Sequence, residues 1–118
     1  MKTQQTQHTQ KTTEELVYAK EVANTIREQI KTLDPRAMWA WGVKQFAYSA
    51  KGLGSLNIVI SGCTKVKGKA FVEITLMPND TYTINVYKIT SKYDTKTIKI
   101  VEDVYCDMLV DVIDDILG

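Results

Sequence analysis

The chain has 118 residues, 44% of them hydrophobic and 25% charged, and its formal net charge is only +1. A chain of that size suits one domain that buries roughly two-thirds of its unfolded surface, so neither a disulfide nor a metal is required for folding. No apolar run approaches the roughly 18 residues of a membrane span, and the polar start lacks a secretory pattern, so a cytoplasmic protein with no membrane partner is expected.

Residues 1–12 are dominated by Gln and Thr and read as a disordered polar tail, leaving residues 13–118 as a single domain. Thr12 followed three residues later by Glu15 predicts a capping box, and Leu16, Ala19, Ala23, Ile26, Ile30 and Leu33 then repeat at helical spacing. Asp34-Pro35 ends this helix, because proline disfavours helical geometry in the residue before it. Met38 to Ser49 fits neither period cleanly. The alternation of Trp39, Trp41 and Val43 predicts a strand, with Gly42 marking a bulge.

Three clear strands follow. Leu56, Ile58 and Ile60 alternate with Asn57, Val59 and Ser61. Ala70, Val72, Ile74 and Leu76 alternate with Phe71, Glu73 and Thr75, and Tyr82, Ile84 and Val86 with Thr83, Asn85 and Tyr87. Period two is what a sheet with one covered face demands, and the short connections predict an antiparallel meander. Lys96 to Ile100 adds an edge strand, and a second helix is expected from Glu102 to Leu117. The expected fold is α+β in the order α-β-β-β-β-β-α, with both terminal helices on one face of the sheet.

Charge is distributed unevenly along these elements. Pro35–Ile100 carries ten Lys or Arg against three acids, whereas Val101–Gly118 has six acids and no base. Such fields bias association and solubility rather than fold. Chemistry is constrained in turn, since His8 is the only histidine and lies in the tail, away from any rigid partner. Cys63 and Cys106 have no CxxC neighbour and read as two reduced thiols. The segment from Gly62 to Gly68-Lys69-Ala70 is one residue too long for a phosphate-binding loop and precedes a strand rather than a helix. No catalytic residue, metal site or cofactor is expected, and the protein reads as a non-enzyme.

Three surfaces stand out. Val59, Phe71, Glu73 and Tyr87 share the sheet face turned away from the helices, which suits contact with a protein partner or a second copy. Lys67-Gly68-Lys69-Ala70-Phe71-Val72-Glu73-Ile74 follows the RNA-recognition strand signature, with Lys69 and Ile74 standing where it has aromatics. The alternative is therefore single-stranded nucleic acid, held by Lys65, Lys67, Lys69, Phe71 and Lys92, with Lys88 and Lys96 at the same end of the sheet. A further alternative is an acidic row of Asp103, Asp107 and Asp111 along one helix side, mimicking a phosphate backbone toward a basic enzyme. Asp114 and Asp115 sit where a helix dipole disfavours acids, a broken local rule.

The succession Trp39-Ala40-Trp41-Gly42, Ile58-Val59-Ile60-Ser61-Gly62, Lys67-Gly68-Lys69, Asp80-Thr81-Tyr82 and Val101-Glu102-Asp103-Val104-Tyr105, leading to Val112-Ile113-Asp114, resembles small uncharacterised proteins of Bacteroidetes phages and mobile elements. The resemblance covers residues 38–116. It implies no particular activity and carries no site residues with it, and the Gln/Thr tail falls outside it.

Overall fold

The computed structural model describes residues 13–63 and 65–118, so the expected polar tail and the Thr12 cap lie outside the described residues. Helix α1 spans Thr13–Leu33 and buries Ala19, Val22, Ala23, Ile26 and Ile30. Leu16 and Leu33, at the two ends of the expected stripe, are each 41% exposed, and Val22 takes a place in the core instead. Ile26 and Ile30 are fully buried, and each such side chain contributes roughly 1.5–3 kcal/mol through removal of apolar surface from water.

A single helical turn, α2 (Ala37–Ala40), precedes five strands: β1 (Val43–Ser49), β2 (Ser55–Ile60), β3 (Ala70–Leu76), β4 (Tyr82–Ile89) and β5 (Thr95–Val104). They form one antiparallel sheet in sequential order β1-β2-β3-β4-β5. Helix α3 (Leu109–Leu117) closes the chain after a 3-10 turn at Cys106–Met108. The register aligns Ile58, Val72 and Val86 across the middle strands, and all three are buried beneath the helices. Val59, Phe71 and Tyr87 form the neighbouring row on the opposite face. The result is an α+β slab of 51 × 36 × 23 Å, one helix layer on one sheet.

Two hairpins use the same turn. Asp80 N–H donates to the Met77 carbonyl and Met77 N–H to Thr81, while Tyr93 N–H donates to Thr90 and Thr90 N–H to Asp94. Each places a non-glycine residue at positive φ, Asp80 at 68° and Tyr93 at 65°, in the position where a three-residue loop needs the left-handed region.

Two sequence-based expectations are corrected. Met38 to Trp41 is not strand, because Asp34 accepts from Arg36 N–H through Oδ1 and from Ala37 N–H through its carbonyl, turning the chain into α2. Gly42, at φ 71°, then redirects it into β1, and a side chain there would lie 2.0 Å from the Ser61 carbonyl oxygen. The bulge falls one step later, between Val43 and Gln45. The second correction concerns Glu102 to Val104, which are strand rather than helix: Val101 pairs with Ile84 and Val104 with Tyr82. The extra residue between those pairs is taken up at Asp103, whose φ is 58°.

Candidate partner-binding face

The face of the sheet turned away from α1 and α3 has the Phe71–Tyr87 pair at its centre. The two rings stack with centroids 5.2 Å apart and planes 13° from parallel, as directly opposed residues on β3 and β4 allow. The Lys69 ammonium lies 5.6 Å from the Phe71 centroid, within cation–π range. Val59 stands beside Phe71 on β2. All of Val59, Phe71, Glu73 and Tyr87 are half-buried rather than freely exposed. Sequence reasoning thus placed these four residues on one surface, and the structure brings them together.

One row along the strands, Asn57, Glu73 and Asn85 are aligned across β2, β3 and β4. Lys51, in the β1–β2 turn, reaches over to bond the Glu73 Oε1 atom at 2.8 Å; the lysine side chain is 61% exposed and the glutamate only 15%. The Oδ1 atoms of Asn57 and Asn85 are buried with no hydrogen-bond partner. Burial in the first place, and the nearby Glu73 carboxylate in the second, push the Tyr87 phenol above its ordinary pKa, with Lys51 opposing them. Lys51, Asn57 and Asn85 were not singled out from the sequence, because a polar residue alternating with core positions reads as ordinary solvent-facing surface.

The lysine-rich end is assembled as the meander predicts, but several of its members are committed elsewhere. Lys65 donates through Nζ to the Asp115 carbonyl and through its backbone N–H to Leu117, and Lys88 Nζ donates to the Lys67 carbonyl. Lys67 and Lys92 side chains form no hydrogen bond or ion pair among the described residues. For base stacking the geometry is unfavourable, since the Phe71–Tyr87 stack already uses one face of each ring.

The acidic row does not exist as a helix face. Asp103 belongs to β5, Asp107 to the 3-10 turn and Asp111 to α3, so their four-residue spacing is not carried by one helix. Asp114, which breaks the dipole rule, has a structural partner: the Trp41 indole N–H donates to its Oδ1 at 2.8 Å. Among the described residues no three His, Cys, Asp or Glu side chains come together as a metal-holding group. Cys63 donates its S–H to the Trp41 carbonyl, and burial raises its pKa. No helix among the described residues is long and apolar enough to cross a membrane.

No protein-family model matches the chain, and no curated protein or solved structure is significantly similar to it.

Proposed function

We propose that this is a non-enzymatic binding or accessory protein of the cytoplasm, acting through contact between its open sheet face and another protein or a second copy of itself. The observation that carries the reading is the Phe71–Tyr87 stack, flanked by Val59 and Glu73, on a sheet whose other face packs its central strands against the helices. Aromatic side chains held rigidly by a sheet lose little entropy on contact and are common energetic centres of interfaces. Nucleic acid is the less favoured ligand, because the aromatic rings are engaged with each other and Lys65 and Lys88 with carbonyl groups.

Native mass measurement of the protein recovered from host lysate, with light scattering of the pure protein, tests this directly. A defined complex or a homodimer is the expected outcome. A strict monomer with no co-purifying protein would count against the reading.

A further inference from the structure

Beside the aromatic stack, the open face contains a cavity of about 230 Å³ bounded by Glu73, Asn85, Thr83 and Glu102, with Lys51 at its rim and Met77 and Ile100 as apolar walls. From this geometry we infer a binding pocket for a guanidinium group, filled by an arginine side chain of the protein partner. The inference deepens the reading of this face as a partner surface and rests on it.

The pocket is rich in acceptors. Glu73 is largely buried, yet only its Oε1 atom is engaged, by Lys51. The Asn85 Oδ1 atom is buried without a partner. A buried acceptor with no donor is costly, and filling it on binding recovers that cost. Glu102 adds a second carboxylate. Against two carboxylates stands one ammonium, on a side chain that is 61% exposed and anchored only at its tip.

Lys51 shows that the pocket accepts a cation, but an ammonium offers a single centre of three donors. A guanidinium presents five N–H donors in a planar fork, matching the Glu73 carboxylate and the Asn85 amide oxygen beside it. The Met77 and Ile100 walls suit the methylene stem of arginine. Lys51 is then a resident competitor that an incoming arginine displaces to solvent.

The test uses acetyl-arginine amide titrated into the isotope-labelled protein, followed by backbone and Asn side-chain amide resonances. Acetyl-citrulline amide, which has nearly the same shape and no charge, is the control ligand. Saturable shifts centred on Glu73, Asn85 and Ile100 are expected with arginine and not with citrulline. Lys51→Ala should tighten binding several-fold, Lys20→Ala on α1 makes the same charge change without this effect, and Glu73→Gln should weaken binding about tenfold or more. Lys51 is exposed, so its variant should keep the fold, and the spectra of all variants report folding independently. No saturable shift in the Lys51→Ala protein, equal binding of citrulline, or equal effects of Lys51→Ala and Lys20→Ala would each overturn the inference. Partner capture by the aromatic pair is read separately through Phe71 and Tyr87, so failure of the pocket and failure of the face are distinguishable.

Discussion

Trp41 ties the two ends of the domain together. Its ring is 2% exposed, its carbonyl accepts from Cys63, and its indole N–H reaches Asp114 across 73 residues of sequence. Asp114 therefore tolerates an unfavourable place near the end of α3 because it accepts a charge-assisted bond from a buried donor. Asp114→Ala should cost about 1–2 kcal/mol in urea unfolding by leaving that donor unpaired. The exposed neighbour Asp115, changed in the same way, should be neutral or mildly stabilising. Tyr82 makes a comparable link by donating to Gln29 Oε1 at 2.8 Å. Burial chiefly raises its pKa, with Cys106 and Asp80 adding to the rise. The unfolded phenol ionises near pH 10, so the stabilising contribution is complete below that pH and is lost as pH rises through the higher folded value. Tyr82→Phe should cost about 1 kcal/mol at neutral pH, and its deficit relative to the native chain should shrink above pH 10 in unfolding curves.

At the scale of elements, the sheet has two edges, and both are guarded. β1 bears Lys44 at its bulge, while β5 bears Lys96 and Lys99 and two register shifts. Bulges and lysines discourage pairing with another edge. Replacing Lys96 and Lys99 by Thr should leave a long, uncharged TTTITI run on β5 and produce concentration-dependent association in light scattering, which the native chain should not show through this edge. The middle strands were readable from sequence because Leu56 to Ile60, Ala70 to Leu76 and Tyr82 to Val86 alternate strictly under a helix layer. The run from Val101 to Met108 was not, since Val101, Val104, Tyr105 and Met108 satisfy helical spacing as well as a strand interrupted by a positive-φ residue at Asp103. The Trp39-Trp41 alternation misled for a different reason. Trp41 is buried through its link to a helix far along the chain, and Trp39 is 85% exposed on α2. The aromatic half of the candidate face was legible in the same alternation that built the strands, whereas the acceptor pocket was not, because it depends on the β1–β2 turn bringing Lys51 over Glu73.

For the whole molecule, the basic and acidic segments meet rather than stand as separate poles. The α3 carbonyls at Asp115 and Leu117 are held by Lys65 from the loop between β2 and β3, which places a cation at the negative end of the helix dipole. With helices covering one face of the sheet and both edges guarded, the open face is the surface best suited to a partner. The most direct measurement is the recovery of the native complex by the protein carrying Phe71→Ala and Tyr87→Ala together, beside the unmodified chain, with circular dichroism confirming the fold in both. The account predicts an unchanged spectrum and a loss of affinity of about a hundredfold or more, as for removal of central aromatic contacts. A folded double variant that recovers the same complex with undiminished affinity would contradict it.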